Sequence, residues 1–413
     1  MAWRLPSFLA AIAIATLLFR AATSAYGAIA GLIALGAFGL NLLSPRLATL
    51  VRTDMPLALV IFLIGLLIWQ KIRARTEWKL QDQVCIFALL TVAMLIKGPI
   101  VYAFLLPGIV INAVAVALWA TRTPRTARRL QGAWPGWWPW IASLAVFLLW
   151  VIGGILFTPG FFEQVVMREF VARFGETIHR PQPLYFYLPH LLHKFAPWSM
   201  LMIGVAIFDL ASRRWRIGAA FREMSPETFW LLCWSLGGLI AMSLIPSKRV
   251  DRIFPLVSPL CLLLAAQVGR VGALRSPRRH APAGCPYLAI ALVFSILFAG
   301  GYTISKVFSG YRDHRDALAV FGRSVRHEAE VRRWRYEVIS AKDEGLLLYV
   351  RRTHFIEPDR AVIEWNRGNL DALVVSTEKA PGLLAELRGA SLSSLKSNER
   401  KKEQGRDYIL ITH

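Results

Sequence analysis

The chain has 413 residues, of which 55% are hydrophobic, and its formal net charge at pH 7 is +22. This composition is too apolar for a single soluble core. Residues 1–304 carry 28 of the 48 Lys and Arg but only 10 of the 26 Asp and Glu, and these cations are spread over short loops. A nucleic-acid-binding protein would gather such charge into one patch or stripe. We therefore expect membrane lipids, and no nucleic acid, among its partners.

Ten apolar segments predict membrane-spanning helices, because each approaches or reaches the length that crosses a bilayer. They lie at 5–19, 26–43, 55–69, 84–96, 100–119, 138–157, 195–210, 228–245, 253–268 and 287–304. The sequence therefore predicts an all-α polytopic membrane protein with about ten transmembrane helices.

Four loops between these segments are densely basic. They contain Lys71, Arg73, Arg75 and Lys79; Arg122, Arg125, Arg128 and Arg129; Arg213, Arg214, Arg216 and Arg222; and Arg270, Arg275, Arg278 and Arg279. An even number of predicted spans separates each loop from the next, so all four can be cytoplasmic under the positive-inside rule. Residues 44–53, 97–99, 158–194, 246–252 and everything after 304 then lie outside.

The same topology places the first four residues outside, with no earlier helix to carry them across the membrane. A cleaved signal peptide would explain this, but it would invert the four basic loops. Insertion with the N-terminus outside is a second explanation. A third, which we favour, is that the natural polypeptide begins earlier.

Residues 305–413 differ in character from the apolar part. Apolar runs at 346–350 and 372–376, with a weaker one at 408–412, predict strands, and 380–388 has the composition of a helix. Residues 311–335 predict a helical connector, and the charged run 396–406 predicts a solvated loop. We therefore divide the chain into a membrane domain, 1–304, and a small extracytoplasmic α/β domain, 305–413.

Asp54 is the first candidate for a functional residue. It follows Arg52 directly before an apolar run. Ionisable groups at membrane depth are costly and often mark a site, so we assign Asp54 a catalytic role. Two structural alternatives stay open: an ion pair between Arg52 and Asp54, or Asp54 as the N-cap of the next helix.

Several cations share the predicted outer face with Asp54. They are Arg52, Lys97, Arg173, Lys248, Arg249 and Arg252. Fixed cations at the membrane edge suit a lipid phosphate, and they would stabilise the charge that develops if this phosphate leaves during a reaction. The alternative for each is a Lys or Arg that only extends towards the interface.

The segment 181–190 is rich in aromatic residues and prolines, and it predicts a lip over a cavity. The candidate lip residues are Tyr185, Tyr187 and His190 in this segment and His179 just before it; an interfacial stretch of structural aromatic residues is the alternative. The histidines lack the spacing of a dedicated zinc site. The cofactor is therefore unknown, with a divalent metal held by Asp54 left open.

Five motifs carry a family resemblance. They are Arg4-Leu5-Pro6-Ser7; Arg52-Thr53-Asp54-Met55-Pro56-Leu57; Leu95-Ile96-Lys97-Gly98-Pro99; Pro183-Leu184-Tyr185-Phe186-Tyr187-Leu188-Pro189 with Pro197-Trp198-Ser199; and Pro246-Ser247-Lys248-Arg249 with Phe254-Pro255-Leu256 and Pro259. In order and approximate spacing they resemble the integral-membrane glycosyltransferases that use polyprenyl-phosphate sugars. This protein O-mannosyltransferase-like group includes the lipid A aminoarabinose transferases.

The resemblance implies a GT-C-like fold in the bacterial inner membrane, with an undecaprenyl-phosphate-type donor and a periplasmic site. Asp54 matches the second of two acidic positions near the donor, and Arg173 matches a phosphate-binding Arg. Lys248 and Arg249 match a loop that borders the site. Two features of the family are missing: an additional first helix with an acidic loop, and a Tyr near Arg252.

The expected function is transfer of a sugar from a polyprenyl-phosphate donor to a lipid, such as lipid A, or to a protein acceptor. A lipid or sugar-lipid transporter is one alternative, because it would use the same cations without chemistry. A catalytically incomplete remnant that only binds lipid phosphate is another.

Overall fold

A computed structural model describes residues 4–122, 134–170, 182–216, 218, 221, 223–246, 248–275, 285–312, 317–339, 345–397 and 407–413. The chain divides into two compact units, Met1–Ala299 and Gly300–His413.

The first unit is helical wherever it has regular structure. Its helices are α1 (Leu5–Tyr26), α2 (Ala28–Gly39), α3 (Ser44–Ala48), α4 (Asp54–Ala74), α5 (Leu80–Lys97), α6 (Ile100–Arg122), α7 (Trp138–Phe157), α8 (Tyr187–Lys194), α9 (Trp198–Ser212), α10 (Pro226–Leu244), α11 (Val257–Arg275) and α12 (Cys285–Arg312), the last of which continues into the second unit. A π-helical segment, Phe162–Phe170, and two 3-10 segments, Leu184–Phe186 and Val250–Leu256, complete it.

Within the described residues, eight helices are long and apolar enough to cross a membrane. A ninth crossing exists if Leu184–Lys194 and Trp198–Ser212, which are bent by 99° relative to each other, form one span. The chain is therefore a multi-pass membrane protein, as the sequence predicts. The predicted short span at 84–96 is longer in the structure, where α5 has 18 residues.

The second predicted span contains a helix that is shorter than the predicted segment. Helix α2 has 12 residues, so it rises about 18 Å, well short of the roughly 30 Å of a hydrocarbon core. Gly27, with φ of 93°, separates it from α1. At its other end the buried Asn41 side chain donates hydrogen bonds to the carbonyls of Ala37 and Phe38. These bonds satisfy carbonyls at the end of the helix, which ends at Gly39.

Helix α4 lies at the centre of the first unit, because most of its length is buried inside the protein. Gly65 of α4 lies under the Trp234 ring, which a Cβ atom would overlap. Gly237 lies against the backbone of Gly108, so α6 and α10 approach without intervening side chains. Small residues commonly permit such contacts between membrane helices.

The second unit contains a four-stranded sheet with helices. Its elements are α13 (Ala317–Arg332), β1 (Tyr336–Val338), α14 (Gly345–Val350), α15 (Pro358–Asn366), β2 (Ala372–Ser376), α16 (Ala380–Glu386), β3 (Ser391–Lys396) and β4 (Tyr408–Thr412). The strand order is β1-β2-β4-β3; β1 and β2 are parallel, and β4 is antiparallel to both of its neighbours.

Both faces of this sheet are covered. On β2, Leu373 and Val375 belong to one apolar core, whereas Ala372 and Val374 belong to the other. The alternation follows from the two-residue period of a strand. The predicted strands at 372–376 and 408–412 and the helix within 380–388 are confirmed.

The strand predicted at 346–350 is wrong, because these residues belong to helix α14. Leu346 and Val350 are both fully buried, four residues apart. This is the spacing of one helix face, and the five consecutive apolar residues do not show the alternation of a half-buried strand. Helix α13 lies within the predicted helical connector, and most of the predicted loop at 396–406 lies outside the described residues.

Candidate active site: a cation cluster at the start of helix α4

Asp54 is the first residue of α4, and its carboxylate accepts a hydrogen bond from Lys97 Nζ. Lys97 is the last residue of α5. Both side chains are largely buried. Thr53 precedes the helix at the N-cap position, so Asp54 lies inside the first turn and does not form the cap. There its negative charge is favoured by the positive end of the helix dipole.

Arg52 does not pair with Asp54. Its Nη1 atom donates to Asp251 Oδ2 at 2.6 Å, across 199 residues of sequence. The backbone carbonyl of Arg52 accepts a hydrogen bond from Ser7 Oγ at 3.0 Å, which ties the loop before α4 to the start of α1. The alternative of an Arg52–Asp54 ion pair is therefore wrong, because Asp251 supplies the carboxylate.

Among the described cations of the outer loops, Lys248 is the most deeply buried, with 6% of its surface exposed. Its ammonium donates to the carbonyl of Gln182 at 2.9 Å. Within the described part of the chain, no carboxylate pairs with it. Burial lowers the pKa of Lys248, because the charged form loses hydration that a carbonyl only partly replaces.

The neighbouring Arg249 is exposed, and its hydrogen bonds to described residues are made by its backbone. Its N–H donates to the Tyr187 hydroxyl at 3.3 Å. Tyr187 is fully buried, whereas Tyr185 is 70% exposed. Arg252 is half-buried and lies close enough to Tyr187 for its charge to act on the hydroxyl.

Of the remaining candidates, His190 is half-buried and its ring contacts the Phe186 ring in a tilted arrangement, with centroids 4.5 Å apart. Arg173 and His179 lie outside the described residues. The structure thus links Asp54 to Lys97, Arg52 to Asp251, and the loop of Lys248 to the 182–190 segment.

We refer to the residues joined by these contacts and their loop neighbours as the cation cluster. Its members are Arg52, Asp54, Lys97, Lys248, Arg249, Asp251 and Arg252. Five are cations and two are carboxylates, so the cluster carries a positive excess. A buried, charged group without an opposite charge is costly, and an anionic ligand would remove that cost.

Asp251 is a functional candidate that our sequence analysis did not select. It stands among Lys248, Arg249 and Arg252, and that single carboxylate in a basic loop was the available signal. Its partner is remote in sequence, so only the fold identifies the pair. Among the residues that the structure describes, no three His, Cys, Asp or Glu side chains form a group that could hold a metal ion.

Comparison with known proteins places these observations in context. No family model matches the chain. The chain is 33% identical over 164 residues to an undecaprenyl phosphate-alpha-4-amino-4-deoxy-L-arabinose arabinosyl transferase of Sodalis glossinidius, covering 39% of this chain and 28% of that protein. The enzyme of the same name from Photorhabdus laumondii is 29% identical over 126 residues, covering 30% and 21%. The matches thus span less than a third of the length of these curated relatives.

The fold comparison covers more of the chain than the sequence matches do. The crystal structure of ArnT from Cupriavidus metallidurans bound to undecaprenyl phosphate aligns with a TM-score of 0.67 and 16% identity, covering 99% of this chain and 83% of that one. Its apo structure aligns with a TM-score of 0.61. The chain therefore has the GT-C fold of ArnT and is related in sequence to aminoarabinose transferases, which confirms the resemblance that its motifs predict.

Proposed function

We propose that this protein transfers a sugar from a polyprenyl-phosphate donor to a lipid acceptor of the lipid A type or to a protein. The relatives are named as transferases of a sugar carried by undecaprenyl phosphate. The ArnT structure was solved with undecaprenyl phosphate bound to that protein. Both facts support a polyprenyl phosphate as the donor lipid.

The observation that carries the proposal is the buried Lys248. Its ammonium has only a carbonyl as a partner among the described residues, and two arginines follow within four residues. A phosphate has the charge and the oxygen acceptors that this arrangement lacks. The polyprenyl tail would lie along apolar helices, as the membrane setting requires.

In the proposed reaction, an acceptor oxygen attacks the anomeric carbon of the sugar while the bond from that carbon to the phosphate oxygen breaks. The lipid phosphate leaves with the bonding electrons. The charge on the leaving oxygen grows in the transition state, and fixed cations stabilise it there more than in the ground state. Lys97, Lys248 and Arg249 would supply this charge, joined by Arg52, Arg173 and Arg252.

Asp54 would orient the sugar or receive the proton of the acceptor hydroxyl. The Lys97 ammonium pairs with this carboxylate and helps to fix its position. An ionised carboxylate can accept hydrogen bonds from sugar hydroxyls or take a proton as the new bond forms. His179, Tyr185, Tyr187 and His190 would border the substrate cavity.

We further propose that the cation cluster and the domain 305–413 face the periplasm of a bacterial inner membrane. The four basic loops support this orientation, because cytoplasmic loops carry the excess of Lys and Arg. The membrane domain would comprise residues 1–304.

A transporter of lipids or sugar-lipids would use the same cations without breaking a bond, and a remnant that only binds lipid phosphate would leave the donor intact. Incubation of the purified protein with radiolabelled polyprenyl-phosphate sugar and extracted lipids separates these functions. Label that moves to a new lipid or protein supports transfer. Intact donor that changes leaflet in vesicles supports transport, and donor that is retained unchanged supports binding alone.

Lys248→Met tests the observation that carries the proposal. We expect it to reduce transfer and donor retention, whereas Lys396→Met, at an exposed lysine of β3, should change neither. Normal donor retention in Lys248→Met would contradict the assignment of Lys248 to the phosphate.

A further inference from the structure

A cavity of about 680 Å³ lies in the first unit, far from the cation cluster. Tyr26, which lines it, contacts Trp69 with ring centroids 6.4 Å apart. Trp69 is 15 residues beyond Asp54 on α4, which corresponds to about 22 Å along a helix. The cavity therefore lies towards the opposite end of α4. Its volume falls within the roughly 300–1,000 Å³ of small-molecule sites.

Part of the lining of this cavity is apolar. The side chains there come from α9, α10 and α11 and include Val205, Ala206, Leu210, Leu232, Leu263 and Ala266. A surface of this kind between membrane helices suits the glycerol and upper acyl region of a lipid.

Other lining residues carry charges of both signs. Arg213 Nε donates to Asp209 Oδ1 at 3.1 Å, and its Nη1 donates to Glu223. Arg270 lies 3.9 Å from Asp209 and 3.8 Å from Glu223, distances that allow attraction but exceed a hydrogen bond. Among the described residues, the Arg270 guanidinium makes no hydrogen bond, so its N–H groups can bind oxygen atoms of a phosphate.

Among the described residues, a carboxylate and an amide oxygen at the cavity also lack donors, as does the buried hydroxyl of Tyr26. Glu227, in the first turn of α10, has no ion-pair or hydrogen-bond partner within the described ranges. Gln267 Oε1 is buried, and none of the described donors reaches it. A buried carbonyl oxygen without a donor is costly. Both groups would be satisfied by a ligand that carries N–H donors and a positive charge.

Together, Arg270, Glu227 and Gln267 select one class of amphiphilic lipid. An anionic lipid would satisfy Arg270 but leave Glu227 and Gln267 without donors. A quaternary ammonium head would balance the Glu227 charge but has no N–H to donate to Gln267. A phosphate and a primary ammonium on one head satisfy both sets, and the apolar part of the lining accommodates the lipid body.

We propose that this cavity binds a phospholipid whose headgroup ends in a primary ammonium. The phosphate lies at Arg270, and the ammonium donates to the Glu227 carboxylate and to Gln267 Oε1. This site is distinct from the cation cluster and does not depend on the proposed transfer reaction.

The test is native mass spectrometry of the purified full chain after exposure to vesicles of equimolar phosphatidylethanolamine, phosphatidylcholine and phosphatidylglycerol. We expect the protein to retain phosphatidylethanolamine about tenfold over phosphatidylcholine, the ratio expected for one charge-assisted hydrogen bond. Glu227→Gln keeps the side-chain shape and should abolish this preference. Equal retention of the three lipids by the unchanged protein would overturn the proposal.

A pair of variants locates the lipid. Ala206→Trp fills the cavity and should remove the retained phosphatidylethanolamine, whereas Ile207→Trp, at the next and half-exposed position of α9, should not. Gel filtration and thermal unfolding establish that each variant is folded. If Ala206→Trp does not fold, the Glu227→Gln result decides. Full retention by a folded Ala206→Trp variant would place the lipid elsewhere and refute the site.

Discussion

Lys97, the last residue of one membrane helix, donates a hydrogen bond to Asp54, the first residue of another. Each charge lies where its own helix dipole favours it, the cation at a C-terminus and the anion at an N-terminus. The pair therefore joins α4 to α5 and also holds a lysine and a carboxylate side by side in the cation cluster. A change at either residue should have both a structural and a functional effect.

We expect Asp54→Asn to reduce transfer by at least about 100-fold, the usual contribution of a catalytic carboxylate. The change keeps the shape but leaves the Lys97 charge largely buried without its partner. We therefore also expect a loss of stability of about 1–3 kcal/mol, seen as a lower thermal unfolding midpoint. Transfer of radiolabelled sugar and thermal unfolding measure the two effects.

The double variant Asp54→Asn/Lys97→Met separates these effects. Removing both charges relieves the unpaired lysine, so the unfolding midpoint should recover while transfer does not. Activity that returns together with stability would show that neither Asp54 nor Lys97 takes part in the reaction and that the pair is structural.

Lys97→Ala should weaken donor binding and also slow the bound complex, because a cation that holds the lipid phosphate acts on the ground state and more strongly on the transition state. We expect a raised KM for the donor, with the loss partly masked at high donor concentration. Lys79→Ala is the matched control, since Lys79 is exposed and directly precedes the other end of α5. The same KM in both variants would remove Lys97 from the donor site.

The sequence predicts most of the membrane helices because long apolar runs have few alternatives in a bilayer. It also identifies the loops that meet at the cation cluster. It does not identify which residues pair inside the cluster. Arg52 stands two residues from Asp54 yet pairs with Asp251, 199 residues away, because the fold brings the Val250–Leu256 segment to the start of α4.

The errors in the predicted secondary structure, at α2 and at 346–350, have similar causes. A single buried residue, Asn41, ends α2 after 12 residues by binding carbonyls, and hydropathy does not register such a bond. At 346–350, five consecutive apolar residues fit either a buried strand or a short helix. Packing of Leu346 and Val350 into the same core selects the helix.

Gly237→Ala tests the helix packing. An ideal Cβ at Gly237 would lie 2.3 Å from the backbone nitrogen of Gly108, and a backbone atom cannot move aside as a flexible side chain can. We expect α6 and α10 to separate, with a loss of about 1–3 kcal/mol and a lower yield of folded protein. Thermal unfolding in detergent measures this loss.

Gly204→Ala is the control for that substitution, because a Cβ at Gly204 on α9 meets no atom within 4 Å. It should leave the unfolding midpoint unchanged or raise it slightly, as alanine favours a helix over glycine. Equal midpoints for Gly237→Ala and Gly204→Ala would mean that α6 and α10 are not in direct backbone contact.

Lys248 should make donor binding sensitive to alkaline pH. Burial lowers the pKa of this lysine below its ordinary value of 10.5, so it loses its proton at a lower pH than an exposed lysine. Only the ammonium form attracts the lipid phosphate. Donor affinity should therefore fall as pH rises through the lowered pKa, and Lys248→Arg should move that fall to higher pH because a guanidinium stays charged.

Protein stability without donor should change in the opposite direction. The unfolded chain holds the Lys248 proton up to about pH 10.4, whereas the folded chain releases it earlier, so this residue's contribution to stability increases with pH between the two pKa values. Binding of radiolabelled polyprenyl phosphate and thermal unfolding, each measured across this window, test both directions. The exposed Lys396→Met variant should follow the unchanged protein in both assays. A fall in donor affinity that persists at the same pH in Lys248→Arg would assign the titration to another group and remove Lys248 from the phosphate site.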